Sequence, residues 1–383
     1  MASPFRADHV GSLLRPPEML EARRAYNAKQ ISWEQLKEAA DKAALEAIDA
    51  QKQAGIGIYT DGEYRRAIWS GALRDSLEGL VPDPDPPPPS PLTPAPNRWQ
   101  GEFGEIANET LREVSPNALM VNQRLRLTHM MTGDEAAFLK QHAPGPWKVT
   151  LAAVSRTATW FKPGVTDKFY KSPEELQDEL LGFRKQELKN LIDMGCSYIQ
   201  LDSLRYTSWM NPVRRQPMVD AGLDLDKELD EQIAWDNASI EGARGTPGVT
   251  VGHHICRGNN RSAWSGQGGY EPVAEKLFSR MNVDRFLLEY DTDRAGGFEP
   301  LRFVPRDKMV VLGIVSSKLA EAEDKDILKR RIEEAAKYVD LDRLAISPQC
   351  GFASTMPGNM LSWDEQRRKL ELCVEVARDV WGG

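Results

Sequence analysis

An α/β architecture, specifically a (β/α)8 TIM barrel, is the fold this sequence predicts, and three observations predict it. Short apolar runs alternate with helix-like stretches through most of the 383 residues. The runs lack the apolar–polar alternation of a half-exposed strand, as buried parallel strands do. Polar side chains follow nearly every run, at the end of the strand where a barrel carries its chemistry.

The predicted strands lie near Val10 and at Ile56–Thr60, Lys148–Ala153, Tyr198–Asp202, Val249–His253, Arg285–Glu289, Met309–Val315 and Leu344–Ser347. Helices are predicted at Trp33–Ala54, Pro173–Met194, Asp226–Ala243, Pro272–Arg280, Asp324–Tyr338 and Trp363–Val380. The starts SPEEL and SWDEQ read as capped N-termini, with Ser172 and Ser362 as caps ahead of acidic first turns. A doubly wound sheet is the competing arrangement. No G-x-G-x-x-G stands between a strand and a helix, so nothing supports a dinucleotide site.

One segment interrupts the pattern. Asp83–Asn97, DPDPPPPSPLTPAPN, is proline-rich and predicts an extended, stiff chain. With the polar stretch Arg98–Thr128 it reads as an insertion at about 82–128, after the second barrel strand, in the form of a hairpin flap. Residues 1–383 otherwise read as one barrel domain.

The net charge is -8 and the pI about 5.4, with no long basic run. Nucleic acid is therefore not the expected partner, since phosphate neutralisation needs clustered Lys and Arg. No stretch approaches the ~20 apolar residues of a membrane span. The opening MASPFRADHVGSLLRP carries charge at once and has no signal-peptide core. Four cysteines in a chain of this length are not a disulfide framework, and a reducing cytoplasm is the expected setting.

The strand ends carry the functional signal. Gly11 and Ser12 follow the first run, Asp61, Gly62 and Glu63 the second, and Asp202 ends the fourth. His254 and Cys256 come from the fifth, Glu289 and Asp291 from the sixth, Ser316, Ser317 and Lys318 from the seventh, and Cys350 from the eighth. Residues two apart on a strand face the same side, so one strand end offers both His254 and Cys256 to one ion. A histidine nitrogen, two cysteine sulfurs and a carboxylate oxygen form a ligand set suited to zinc. Each position has a plainer alternative. Glu289 could simply pair with Arg257 or Arg294, and Glu63 and Asp202 with Arg65, Arg66 or Arg205. Cys196 and Cys373 read as core, and His253 faces away from His254. His129 and His142 read as surface or capping residues.

In order along the chain, DHVGSLLRP, TDGEYRR (60–66), YIQLD (198–202), HHICRGN (253–259), FLLEYD (286–291), VLGIVSSK (311–318) and SPQCGF (347–352) resemble the zinc-bearing catalytic barrel of the cobalamin-independent methionine synthase family. The chain is similar to its short, single-barrel branch. The resemblance implies zinc on His254, Cys256, Glu289 and Cys350, with His254, Cys256 and Cys350 central to catalysis. It implies contacts to a substrate amino acid at Val10, Ser12, Glu63 and Asp202. Two departures stand out. The long enzymes have Asp-Glu-Pro where this chain has Asp202-Ser203-Leu204, and a histidine at the end of the seventh strand where this chain has VSSK.

The expected function is zinc-dependent methyl or alkyl transfer to a thiol. The expected reaction carries a methyl group from a 5-methyltetrahydropteroyl-type or other donor to homocysteine, giving methionine. The alternative is thiol addition to an epoxide or other alkyl electrophile, as in the related epoxyalkane:coenzyme M transferases. A sulfonate-bearing thiol would want cations, for which Arg6, Arg257 and Lys318 are the candidates. The expected partners are a small thiol and a methyl or alkyl donor, with neither nucleic acid nor membrane.

Overall fold

Six of the predicted strands form one parallel sheet in the computed structural model, which describes residues 5–86, 99–109, 118–154 and 159–382. They are β3 (Lys148–Ala152), β4 (Tyr198–Ser203), β5 (Thr250–Ile255), β6 (Arg285–Glu289), β7 (Met309–Val315) and β8 (Leu344–Pro348), paired in that order. Their residues are almost all buried, which is why their sequences run apolar without alternation. Helices Pro173–Met194, Glu271–Arg280, Lys325–Ala335 and Trp363–Trp381 fall between or after these strands. The Ser172 side chain accepts from the Glu175 N–H, and Ser362 makes a full capping box with Glu365. Helix Trp33–Ala54 stops at Gly55, whose left-handed backbone favours glycine.

The other two predicted strands are not strands. The run near Val10 and the run Ile56–Thr60 flank the two edges of the sheet and touch it at single parallel bridges, Ala7 to Ile346 and Tyr59 to Trp147. Side chains supply what ladder bonds would have supplied. His9 Nε2 bonds the Ile58 carbonyl at 3.0 Å, and Gln200 Nε2 donates to the Val10 carbonyl at 2.7 Å. Gln51 serves both backbone groups of Thr60 at 2.9 Å. The two runs meet through Leu13 N–H to Gly62 O at 3.1 Å and Thr60 Oγ1 to Gly11 O at 2.8 Å.

The insertion contains β1 (Leu77–Pro82) and β2 (Leu119–Leu127), an antiparallel pair consistent with a hairpin. Its first arm begins at Leu77, ahead of the predicted boundary at 82. Most of the proline-rich run, residues 87–98, lies outside the described residues. Gln100 pairs with Trp264 through N–H···O bonds of 2.7 and 3.1 Å, so this excursion rests on the loop that follows β5.

One face of the sheet is only partly apolar. Val10, Leu287, Val311 and Ala345 form a small cluster there. Beside it runs a buried polar column. Lys148 Nζ donates to Asp8 Oδ1 at 2.7 Å, and the Tyr198 hydroxyl donates to Asp8 Oδ2 at 2.9 Å. Arg285 lies 3.5 Å from Asp8. A buried ion pair of this kind survives because each charge is compensated.

Candidate metal centre

β5 places two ligand-type side chains together. Cys256 lies one residue past its end, yet its N–H still bonds the Ser203 carbonyl at 3.1 Å, which carries the strand geometry onward. His254 and Cys256 therefore point the same way. Glu289 is the last residue of β6, and Cys350 stands two residues past β8. Ligand atoms from His254, Cys256, Glu289 and Cys350 all lie within 4.8 Å of one another. Among the described residues these four, offering one nitrogen, two sulfurs and one carboxylate oxygen, form the group able to hold a metal ion.

The details fit such an ion. His254 Nδ1 faces the Leu287 carbonyl at 3.2 Å, so the proton sits on Nδ1, while the buried Nε2 has no hydrogen-bond partner among the described residues. A ligand histidine shows this pattern, one nitrogen fixed by a carbonyl and the other free to coordinate. The Cys256 and Cys350 sulfurs are 3.6 Å apart. Two ligands at about 2.3 Å in a tetrahedral shell lie about 3.8 Å from each other. Cys256 Sγ also accepts from the Gly258 N–H at 3.2 Å.

Charge at the centre follows from these contacts. A hydrogen bond from Cys256 holds the Cys350 thiol well below its usual value despite burial, and His254 adds to the effect. Burial opposes charge on His254, but Cys350, Asp202 and Glu289 outweigh it and raise the imidazole to about 9. Burial likewise opposes charge on Glu289, and Arg294, Lys318 and Arg257 overcome it, so its carboxyl is held low. Glu289 Oε1 accepts from the Arg257 N–H at 2.5 Å and Oε2 from Arg294 at 3.0 Å. Each oxygen keeps a second lone pair.

The other predicted site residues gather beside this group. Glu63 Oε1 accepts from Thr150 Oγ1 at 2.7 Å, while its buried Oε2 has no partner among the described residues. Glu63 has a left-handed backbone, φ 60°, which a non-glycine residue holds only where its surroundings enforce it. The Asp61 carboxylate does so by accepting from the Glu63 N–H at 2.8 Å. Arg65 and Arg66, offered as partners of Glu63, make their ion pairs elsewhere, whereas Arg294, offered for Glu289, does pair with it. Arg65 pairs with Asp61 and Asp41, and Arg66 with Glu135 at 2.6 Å. Burial raises Asp202 to about 7; His254 works against the shift and Glu63 adds to it. Ser12 packs against the Cys350 loop, its carbonyl accepting from Phe352 at 2.9 Å. A Cβ on Gly351 would come 2.0 Å from Ser12 Oγ, so only glycine permits that approach.

The three predicted cations are all engaged within the protein. Arg257 is fully buried, with its guanidinium on Tyr270, Gly268 O and Glu289 O. Lys318 donates to Asn259 Oδ1 at 2.8 Å and Gly258 O at 3.3 Å. Arg6 bonds the carbonyl of Leu344, at the opposite end of β8 from Cys350. The plainer readings hold for Cys196 and Cys373, both buried and free. The His142 ring packs against Phe138 with centroids 4.5 Å apart and planes tilted by 37°, His129 bonds Thr128, and the buried His253 lies 3.7 Å from Asp236.

Sequence reasoning did not single out Asn259 or Gln200. Asn259 Nδ2 donates to Gly351 O at 2.6 Å and to Ser354 Oγ at 3.2 Å, so it ties the Cys256 loop to the Cys350 loop. Its place three residues after Cys256 was the available signal. Gln200, an uncharged polar residue between the apolar Ile199 and Leu201 of a buried strand, also carried one.

Residues 166–379 match the family model described as cobalamin-independent synthase, catalytic domain. The Bacillus subtilis proteins YxjH and YxjG are 36% and 37% identical to the chain, each over 99% of it and 95% of their own length. A protein named methionine synthase from Sulfurisphaera tokodaii is 23% identical over 89% of the chain and 84% of its own length. A crystal structure of the putative vitamin-B12-independent methionine synthase of Listeria monocytogenes superposes with a TM-score of 0.69 at 26% identity, covering 100% of both chains. A B12-independent methionine synthase from Shewanella sp. W3-18-1, solved with selenomethionine, gives 0.72 at 22% identity over 99% of this chain and 98% of that one.

Proposed function

Because this chain belongs to the cobalamin-independent methionine synthase family, we propose that it is a zinc-dependent methyltransferase acting on the thiol of homocysteine or a closely related thiol amino acid. The observation that carries this reading is the convergence of His254, Cys256, Glu289 and Cys350 beside the two buried carboxylates Glu63 and Asp202. The whole chain, 1–383, is read as one closed (β/α)8 barrel, with the runs near Val10 and Ile56–Thr60 completing the ring and an insertion at about 82–128 whose Gln100 rests on the loop that follows β5.

His254, Cys256 and Cys350 would hold the ion, with Glu289 as the fourth ligand. The chemistry that zinc supplies when bound is stabilisation of a thiolate at neutral pH, where a free thiol with a pKa near ~8.5 is mostly protonated. The protein's own groups do the rest. Glu63 and Asp202 receive the substrate ammonium; burial raises both carboxyls, and a cation between them offsets that cost and favours their charged forms. The Val10 carbonyl and the backbone beside Ser12 complete the amino-acid site. Arg294 and the Arg257 N–H carry the charge of Glu289, so its carboxylate stays ionised whether or not it is coordinated. The thiolate sulfur forms its bond to the donor's methyl carbon as the donor's own bond to that carbon breaks, and the demethylated donor leaves with that electron pair. Four free cysteines accord with a reducing, cytoplasmic setting. No helix among the described residues is long and apolar enough to cross a membrane.

Thiol addition to an epoxide uses the same ion and is the second reading. The engagement of Arg6, Arg257 and Lys318 inside the protein favours the amino-acid thiol over a sulfonate-bearing one. Purified zinc-loaded protein offered homocysteine and 2-mercaptoethanesulfonate in parallel, each with methyl and epoxide donors, separates the two by product mass. Methionine from homocysteine alone is expected. A sulfonate thioether as the dominant product would overturn the assignment.

A further inference from the structure

We infer that Gln200 is a positioning residue for amino-acid recognition: its side-chain amide sets the Val10 carbonyl and the Asp202 carboxylate in place, and so makes the site select thiols that carry an α-ammonium. This rests on the function proposed above and goes beyond it by assigning the source of selectivity.

Gln200 lies on β4 two residues before Asp202, so both side chains point to the barrel interior. Its amide nitrogen carries two hydrogens, and both are used. One goes to the Val10 carbonyl at 2.7 Å and the other to Asp202 Oδ1 at 2.8 Å. Its oxygen accepts from Lys148 Nζ at 3.0 Å. The orientation of the amide follows from this pattern. Lysine offers only donors, while a carbonyl and a carboxylate offer only acceptors, so the reversed amide would face like against like at all three contacts.

Lys148 is itself fixed. It donates to Asp8 Oδ1 at 2.7 Å, and Asp8 is held in turn by Tyr198 and Arg285. The column therefore runs from the base of the barrel through Lys148 and Gln200 to Asp202. It presents Asp202 and Val10 as a pair set by one side chain. An α-ammonium has three N–H groups and requires three acceptors. Asp202, the Val10 carbonyl and the unpartnered Glu63 Oε2 are three. Two buried carboxylates repelling each other need a rigid frame to stay in place without a cation between them, and Gln200 supplies a donor to one of them.

The test compares homocysteine with 4-mercaptobutyrate, the same thiol acid without the amino group, by calorimetry on zinc-loaded protein. Wild type is expected to prefer homocysteine. Gln200→Leu is expected to lose at least about tenfold of that preference, with zinc content and 4-mercaptobutyrate affinity unchanged. Gln200→Met keeps the length, removes both donors and adds no charge, and it is expected to behave alike, so the test does not depend on Leu being tolerated. Retention of the wild-type preference in both variants would overturn the inference. So would an equal loss for both ligands, which marks a scaffold role. A wild type with no preference is a separate result: it removes the amino-acid reading of the site and this inference with it.

Discussion

The sulfurs of Cys256 and Cys350 stand 3.6 Å apart although 94 residues separate them in the chain. That is too far for a disulfide, whose sulfurs lie about 2.05 Å apart, and close to the edge of a tetrahedral zinc shell. Asn259 bridges the two loops that bear them. Substituting either cysteine by serine is expected to cut zinc affinity by at least about 100-fold while leaving the fold intact, since removing only a hydrogen-bond partner of a ligand already costs about 10–100-fold. Competition with a chromophoric chelator, alongside far-UV circular dichroism, checks this.

Glu63→Gln is expected to weaken homocysteine binding by about 10- to 100-fold, the loss of one charge-assisted contact of roughly 1.5–3 kcal/mol. Zinc content should not change, because Glu63 lies outside the ligand group. Calorimetric titration with homocysteine and metal analysis of the same sample decide the matter.

Lys148→Met is expected to destabilise the protein by about 3–5 kcal/mol, as removal of one partner from a buried ion pair does. Arg285, 3.5 Å from Asp8, keeps part of the compensation and places the effect toward the lower end of that range. Urea denaturation of the variant and wild type at equal zinc loading measures it.

His9 makes stability depend on pH. Burial and the Lys148 ammonium lower it from 6.5 to about 4 in the folded protein. Its Nε2 bonds the Ile58 carbonyl, and its buried Nδ1 has no partner among the described residues, so a second proton finds no acceptor. The unfolded chain therefore binds a proton first as pH falls. The contribution of the neutral His9 is complete above pH 6.5 and is lost as pH drops toward about 4. The slope from this one group is at most about 1.4 kcal/mol per pH unit. In denaturation curves taken across that window, His9→Gln should flatten the dependence. An unchanged slope would show that His9 is not its source.

Much of this architecture was legible in sequence because burial writes itself as uninterrupted apolar runs. β6 and β7 fall at their predicted limits, and so do helices Trp33–Ala54 and Pro173–Met194, each bounded by a serine cap and a left-handed glycine. The runs near Val10 and Ile56–Thr60 look equally strand-like, but their backbone groups are taken by His9, Gln51 and Gln200, a substitution no local pattern reveals. The ligand group was readable because histidine, cysteine and glutamate at strand ends have few other reasons to coincide. The internal engagement of the cations was not legible, for the opposite reason. Charge shows in a sequence, but whether an arginine such as Arg257 spends its donors on neighbouring carbonyls does not. Gln200 was legible only as an oddity, a polar residue in a buried strand, until its three partners were placed around it.

Zinc-edge X-ray absorption on the purified protein, with and without homocysteine, bears most directly on the central claim. The account predicts bound zinc with two sulfur and two nitrogen or oxygen neighbours from His254, Cys256, Glu289 and Cys350, and a third sulfur when homocysteine is added. Zinc whose neighbours do not change on addition of homocysteine, or protein that retains no zinc, would contradict it.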